Sequence, residues 1–240
     1  MRRIKITLAY DGGGFHGWQV QPGLPTIQGA LEEILSGMEG KPVHVAGSGR
    51  TDAGVHALAQ VAAFSIENPI PAPNLRRAVN RLLPEAIRVL SAEEVAPEFH
   101  PRFDARAKTY EYRIVRSEIC SPFEFPYVRH YPYPLEEDRM VTLARAFEGE
   151  HDFTAFAAAD ESDAEDKSKV RTIFSSEAQR AGVRLIYRIR GSGFLKHMVR
   201  NIVGTLIEAG KGNIEDLNNL PARTGPTAPA KGLFLVSVEY

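Results

Sequence analysis

Residues 4–10 read Ile4-Lys5-Ile6-Thr7-Leu8-Ala9-Tyr10, and this stretch sets the pattern from which the predicted fold is built. Larger apolar side chains at every second position are typical of a strand that buries one face. The chain therefore opens on a β-strand with one side turned toward a core. The side chains on that side are Ile4, Ile6, Leu8 and Tyr10.

The rest of the first half predicts two helices and three more strands. Thr26 can cap a helix whose apolar residues recur at helical spacing, with Gly37 just past its end. Asn74 is placed to cap a second helix, which Pro84 would stop. The predicted strands are residues 43–46, 58–66 and 87–95.

The second half repeats this order. It predicts a strand over residues 108–115, a helix over 135–147 that ends at Gly149, and a hairpin over 170–178 and 183–190. A helix over 194–209 that ends at Gly210 and a final strand over 233–239 complete it.

Each half thus reads strand-helix-strand-strand-helix-strand, which is the ferredoxin-like order. We therefore expect an α+β fold of two ferredoxin-like, RRM-like halves, residues 1–105 and 106–240. The halves are expected to share a mixed, mostly antiparallel sheet, with helices on one face and a cleft on the other.

Composition restricts the function. The 240 residues carry a formal net charge of -1, so any polyanion would have to be bound by local basic patches. The single Cys120 excludes an intramolecular disulfide framework and fits a reducing compartment, which favours a cytoplasmic location. The seven histidines lack the spacing of a metal site, and we expect no metal. The N-terminus has no apolar run long enough for a signal peptide or a membrane span.

The glycine-rich stretch over residues 47–57 is the strongest candidate for chemistry. Gly47, Gly49 and Gly54 allow tight or positive-φ backbone and close approach of a ligand around Arg50 and Asp52. A carboxylate held there would be ionised at neutral pH and could act as a nucleophile, a base or an ion-pair partner. The alternative is a glycine-rich turn with one solvated ion pair.

A local cationic surface is expected in the second half. Arginines alternate with apolar residues over 183–190, and Lys196 and Arg200 lie four residues apart on the predicted helix. Open sheets with a basic, aromatic-bearing face recurrently bind RNA. The alternative is that these arginines only keep an exposed sheet face in contact with solvent. In the RNA-binding case, phosphates would be neutralised by Arg184, Arg188, Arg190, Lys196 and Arg200.

Three other features are each open to two interpretations. Tyr110 and Tyr112 share a strand face and belong either to the core or to a ligand site. Trp18, in the glycine-rich segment after the first strand, either folds onto the core or faces substrate. Residues 157–169 are acidic and aperiodic, which predicts a mobile surface loop with or without a partner.

Taken together, these motifs resemble the tRNA pseudouridine synthase A family over essentially the whole chain. The resemblance implies the pseudouridine synthase fold and conversion of uridine to pseudouridine at positions 38, 39 and 40 of the tRNA anticodon stem-loop. It also implies a homodimer that needs no cofactor. The matching segments are residues 10–19, 49–60, 99–103, 110–112, 149–153, 170–173, 194–204 and 232–233.

The resemblance also implies roles for individual residues. Asp52 matches the family's nucleophile, and Arg50 would help to draw the target base from the stack. Tyr110 would lie against the uracil ring, Arg200 or Arg190 would supply the positive charge that pairs with the aspartate, and Leu233 would contact substrate.

Two hypotheses of other classes compete with this isomerase. One is a non-catalytic RNA-binding module of paired RRM-like halves, in which Asp52 is structural. The other is a carboxylate-dependent hydrolase of nucleosides or glycosides, which would want a second acid near Asp52. Asp11 is the loop candidate for that acid.

Overall fold

The computed structural model describes residues 1–159 and 168–240. Strands and α-helices both contribute to it, which confirms the α+β class. The mobile loop expected over residues 157–169 falls largely on residues 160–167, which lie outside the described part. The chain divides into two compact units, one of residues 1–106 with 234–240 and one of residues 107–233.

The first unit contains a sheet in the order β4-β1-β3-β10. Strand β1 lies antiparallel between β3 and β4, whereas β10 runs parallel to β3. The short β2 pairs with β3. The elements are β1 (Arg2–Tyr10), α1 (Ile27–Glu39), β2 (Ala46–Gly47), β3 (His56–Ile66), α2 (Ala72–Leu82), β4 (Ile87–Val95) and β10 (Leu233–Glu239).

Helices α1 and α2 cover the apolar face of this sheet. The alternation that predicts β1 has the expected result, because every second side chain from Ile4 to Tyr10 is buried. Side chains of strands and helices line one small core cavity, among them Ile6, Phe64, Leu31 and Leu75. The core of the first unit therefore lies between its sheet and its two helices.

Two helix boundaries in the first unit differ from prediction. Thr26 does cap α1, since its hydroxyl accepts a hydrogen bond from the Gly29 N–H. The helix nevertheless continues past Gly37 to Glu39, and Gly40 ends it in the left-handed conformation with φ 74°. Helix α2 begins at Ala72, after Pro71, so Asn74 lies within its first turn.

The predicted strand over residues 43–46 is wrong for most of its length. Val43 and Val45 are buried, so their alternation did indicate a core-facing segment. Their backbone N–H groups, however, donate to the side chains of Ser36 and Glu32 on helix α1. Only Ala46 joins the ladder, together with the following glycine.

The second unit has its sheet in the order β5-β9-β8-β7, with β6 parallel to β5. Helices α3 and α4 contact each other, and α3 contacts β8. In the ranges that the structure describes, no helix combines the length and apolar character needed to cross a membrane. The elements are β5 (Ala107–Val115), β6 (Arg129–His130), α3 (Glu137–Ala146), β7 (Gly149–Asp152), β8 (Val170–Ala181), β9 (Arg184–Gly191) and α4 (Met198–Gly210).

Helix α4 begins later than predicted, so Lys196 and Arg200 do not share a helix face. His197 has φ 61° and ψ -3°, a left-handed backbone that an α-helix does not accommodate. The helix therefore begins at Met198, and Lys196 lies in the segment before it. Arg200 is on the helix and Lys196 is not.

The final strand has the predicted bounds but differs from the expected division of the chain. Residues 234–240 cluster with the first unit rather than with the second half. Phe234 pairs with His56 in the parallel ladder, and their rings stack with centroids 4.7 Å apart. At the far end the Arg106 N–H donates to the Glu239 carbonyl, and the Tyr240 hydroxyl donates to the Pro101 carbonyl. These contacts tie the C-terminus to the first unit.

Candidate functional site

The glycine-rich stretch connects β2 to β3 of the first unit, and a buried glutamine anchors its first part. The Ser48 N–H donates to the Val61 carbonyl, and the Ser48 hydroxyl donates to Gln60 Oε1 at 2.6 Å. The Gln60 side-chain N–H₂ donates to the Gly49 carbonyl at 3.0 Å. The chain that leads to Arg50 is therefore held by a side chain of the sheet.

Thr51 fixes the backbone immediately before Asp52. Its hydroxyl lies 2.8 Å from the Tyr10 hydroxyl, and its carbonyl accepts a hydrogen bond from the Trp18 N–H. Burial raises the pKa of Tyr10 to about 12, against the opposing effect of the hydrogen bonds from Thr51 and Gln60. Tyr10 therefore stays neutral near pH 7.

A tight turn follows Asp52. The Val55 N–H donates to the Asp52 carbonyl at 3.1 Å, and Gly54 adopts the left-handed conformation with φ 78°. The Gly54 N–H also donates to the Phe15 carbonyl. The backbone of Asp52 is thus held both before and after this residue. Gly54 has the positive φ that the glycines of this stretch were expected to allow.

Trp18 belongs to the core. Its side chain is 3% exposed, and its ring lies 6.4 Å from that of Tyr10. A Cβ atom at Gly47 would come within 2.6 Å of the indole. Of the two interpretations of Trp18, the core interpretation is confirmed, and Gly47 is needed for the close approach of the ring.

The loop side chains differ in exposure. Thr51 and Val55 are buried, Arg50 is exposed, and Asp52 is half-buried. A carboxylate on a fixed backbone with partial access to solvent can act as a nucleophile toward a bound substrate.

Asp11, the second acid that a hydrolase would want, is engaged by its own turn. Its Oδ1 accepts a hydrogen bond from the Gly13 N–H and lies 3.1 Å from Nδ1 of His56. The same ring nitrogen accepts a hydrogen bond from the Gly12 N–H. These contacts account for Asp11 as part of the turn that follows β1.

In the second unit, Tyr110 and Tyr112 share the apolar face of β5. They lie directly opposite Ile189 and Tyr187 of β9, and directly opposite residues of antiparallel strands share a face. Both are buried, and the Tyr110 ring meets that of Phe194 edge to face at 5.0 Å. The shared face was predicted correctly, and burial is shown for both residues.

Tyr112 is a structural residue within this face. Its hydroxyl donates to the Pro229 carbonyl at 2.8 Å. Burial raises the pKa of Tyr112, although the charges of Arg129 and Arg200 act in the opposite direction. The proximity of Arg129 was not anticipated from the sequence.

Arg200 is held by the segment that precedes β10. Its Nε donates to the Ala228 carbonyl at 2.8 Å, and the Ala228 N–H donates to the Arg200 carbonyl. A Cβ atom at Gly204 would lie 1.9 Å from the Pro226 carbonyl oxygen, so the segment packs directly on helix α4. Leu233 follows this segment and is 5% exposed.

Sequence reasoning missed the segment over residues 225–229 as a support for Arg200. The available signal was Gly204, because glycine in the middle of an otherwise apolar helix indicates close contact with another part of the chain.

The outward face of β9 has the predicted alternation, but it carries fewer unpaired charges than expected. Arg184 forms an ion pair with Glu124 at 2.5 Å, and Arg188 forms one with Glu111 at 2.6 Å. The Arg190 guanidinium carbon lies 4.9 Å from the centroid of the Phe174 ring. Lys196, away from this strand, donates to the Ala159 carbonyl.

No group of three or more histidine, cysteine, aspartate or glutamate side chains that could hold a metal ion occurs within residues 1–159 and 168–240. The six candidate site residues divide between the units. Arg50 and Asp52 belong to the first, and Tyr110, Arg190, Arg200 and Leu233 to the second.

Comparison with known proteins confirms the resemblance found in the sequence and the pseudouridine synthase fold. A family model described as tRNA pseudouridine synthase matches residues 6–104 and 143–240. The chain is 81% identical over 240 residues to tRNA pseudouridine synthase A of Solibacter usitatus, with complete coverage of both chains. It is 46% identical over 253 residues to tRNA pseudouridine synthase A of Limosilactobacillus fermentum, covering all of this chain and 96% of that relative. The chain belongs to the tRNA pseudouridine synthase family.

Proposed function

We propose that this tRNA pseudouridine synthase acts on the uridines at positions 38, 39 and 40 in the anticodon stem-loop, with Asp52 as the nucleophile. The observation that carries the proposal is the backbone around Asp52, which Thr51 anchors before it and the Val55 turn fixes after it. This loop lies within the first range that the family model matches.

The chemistry suits a carboxylate. Pseudouridine forms when the N1–C1′ bond of uridine breaks, the uracil turns, and its C5 bonds to C1′ with loss of the C5 proton and gain of a proton at N1. No electrons are gained or lost overall, so the reaction calls for no redox cofactor. A carboxylate is a weak enough base to add to C6 of the ring or to C1′ of the sugar and then to leave again.

The other candidate residues receive supporting roles. Arg50, exposed beside Asp52, helps to draw the target base out of its stack and to hold the aspartate. Tyr110 lies against the uracil ring, and Leu233 contacts the substrate. Arg200, or alternatively Arg190, supplies positive charge for the reaction.

The target nucleotide has to leave the stem before it can react. Extrusion of a base costs a few kcal/mol, which stacking and cationic groups in the receiving pocket offset. Tyr110 and Arg50 suit those two tasks by residue type.

The proposal includes a cytoplasmic homodimer. A single cysteine fits a reducing compartment, and the family resemblance implies two copies. Light scattering on the purified protein tests this part, since a mass close to 53 kDa is expected from two chains of 26.5 kDa each. A mass of one chain would contradict it.

The function is tested on tRNA from cells that lack this protein. Pseudouridine at positions 38, 39 and 40 is expected to be absent and to return when the gene is restored. Purified protein should also form pseudouridine in an unmodified tRNA transcript with no added cofactor. Bound but unmodified tRNA would favour a binding module instead, and free uracil among the products would favour a hydrolase.

A further inference from the structure

Glu111 is a buried carboxylate between two arginines on the outward face of the second unit's sheet. Arg113 Nε donates to Glu111 Oε1 at 2.8 Å, and an Arg188 terminal nitrogen donates to Oε2 at 2.6 Å. The Glu111 side chain is 8% exposed, whereas that of Arg188 is 60% exposed. The carboxylate therefore lies beneath the two guanidinium groups.

The strand register determines this arrangement. Glu111 on β5 lies directly opposite Arg188 on β9, and Arg113 lies two residues farther along the same face of β5. This face is the one away from Tyr110 and Tyr112. Arg190, two residues from Arg188 on β9, lies on the same face as Glu111.

Arg188 lies between two glutamates on neighbouring strands and forms an ion pair with Glu111. Glu177 on β8 lies directly opposite Arg188 on the other side and is exposed. Within the two described ranges, the carboxylate found in an ion pair with Arg188 is that of Glu111. The guanidinium is therefore directed toward β5.

A carboxylate is an unexpected group on a surface proposed to bind a polyanion. Burial alone would raise the pKa of Glu111, but the hydrogen bonds from Arg113 and Arg188 outweigh it and hold the pKa below its ordinary value. Glu111 is therefore ionised at neutral pH. Its charge balances that of Arg113, which leaves one positive charge on Arg188 for the cluster.

A contact through one terminal nitrogen restricts the directions in which the other donors of a guanidinium can point. Arginine has five N–H groups in a rigid plane, so the remaining donors move together with the one that is held. A guanidinium that is already fixed loses less conformational entropy when it binds a phosphate through its exposed edge.

We propose that Arg188 binds a phosphate of the tRNA backbone and that Glu111 is the positioning residue that orients it. This inference rests on the proposed function, because it takes tRNA as the ligand. Charge alone predicts that the loss of Glu111 tightens tRNA binding. The inference predicts weaker binding, and this difference makes it testable.

The test compares Glu111→Gln with Glu177→Gln. Each change removes one negative charge directly opposite Arg188, so the two variants are matched in net charge and neighbourhood. Binding is measured with an unmodified tRNA transcript by fluorescence anisotropy at several salt concentrations. Glu177→Gln is expected to bind tRNA as tightly as the wild type or more tightly.

Glu111→Gln is expected to bind more weakly despite its added positive charge. We expect Kd to rise about fivefold, and the slope of log K against log salt to become shallower by about one, as for the loss of one phosphate contact. KM should rise more than kcat falls. Tighter binding by Glu111→Gln, in line with Glu177→Gln, would overturn the inference.

Arg188→Ala keeps the inference testable if Glu111→Gln folds poorly, which thermal melting would reveal. Arg188 is mostly exposed, and its loss should raise Kd to a similar extent. If Glu111 acts through Arg188, the variant that combines Glu111→Gln with Arg188→Ala should bind tRNA no more weakly than Arg188→Ala alone. Unchanged tRNA affinity in Arg188→Ala would refute the inference. Failure of the wild type to make pseudouridine would instead count against the proposed function.

Discussion

The hydroxyl groups of Tyr10 and Thr51 lie 2.8 Å apart, and both residues are buried. Tyr10 is the last residue of strand β1, and Thr51 directly precedes Asp52 in the loop between β2 and β3. This hydrogen bond links the end of β1 to the residue before the proposed nucleophile, and the Trp18 N–H adds a second one to the Thr51 carbonyl. The Tyr10 hydroxyl therefore helps to hold the backbone that precedes Asp52.

Replacing Tyr10 by phenylalanine should disturb the reaction more than the fold. The change removes the hydrogen bond to Thr51 and should lower the free energy of unfolding by about 1 to 2 kcal/mol. Because the backbone before Asp52 loses an anchor, we expect kcat to fall about tenfold. Steady-state kinetics and urea denaturation measure the two effects.

The matched control is Tyr240→Phe. The Tyr240 hydroxyl donates to the Pro101 carbonyl in the same unit, away from the glycine-rich loop. The Tyr240→Phe variant should lose a similar amount of unfolding free energy, with little change in kcat. Equal losses of kcat in the two variants would show that Tyr10 has no special link to Asp52.

Gly204→Ala should destabilise the second unit and displace the segment that holds Arg200. The new Cβ would lie 1.9 Å from the Pro226 carbonyl oxygen, so the backbone that carries Ala228 has to move. Such overpacking typically costs about 1 to 3 kcal/mol. We expect a lower melting temperature together with a lower kcat.

Gly37→Ala provides the comparison for that change. Gly37 also lies in a helix, and nothing lies within 4 Å of a Cβ built there. The substitution should stabilise the protein by up to about 1 kcal/mol, since alanine favours helix formation. If both glycine variants were neutral, the packing of residues 225–229 on α4 would be placed in question.

The stability contribution of Glu111 should depend on pH in a defined direction. Its pKa is held below the ordinary value, so the fold favours the ionised form. The contribution is fully present above the unfolded-state pKa, about 4.3, and is lost as the pH falls through the lower folded-state value. The difference in unfolding free energy between wild type and Glu111→Gln should be constant from about pH 8 to about pH 5 and then shrink. A difference that stays constant down to about pH 3 would rule out this origin.

The elements that the sequence predicted best are those whose local pattern agrees with their packing. Strand β4 has the predicted bounds, and it begins at a turn in which the Ile87 N–H donates to the Pro84 carbonyl. Thr26 was identified as the cap of α1 because a hydroxyl followed by helical spacing is a local signal. The tight turn after Asp52, with Gly54 at positive φ, was likewise indicated by a short run of residues.

Predictions failed where distant contacts outweigh a local pattern. Residues 43–46 alternate like a strand, but their backbone groups bond to side chains of α1 instead of to a sheet. Lys196 fits a helical spacing, yet the left-handed backbone of His197 separates it from α4. The placement of β10 beside β3 and the burial of Glu111 between arginines depend on strand register, which no single segment encodes.

Asp52→Asn shows whether the Asp52 carboxylate performs the reaction. This change removes the charge while keeping the size of the side chain. Pseudouridine formation in an unmodified tRNA transcript and tRNA affinity are measured on the same preparation, with thermal melting to confirm folding. We expect no detectable pseudouridine and a Kd within about twofold of the wild-type value. Pseudouridine formed at a rate close to that of the wild type would contradict it.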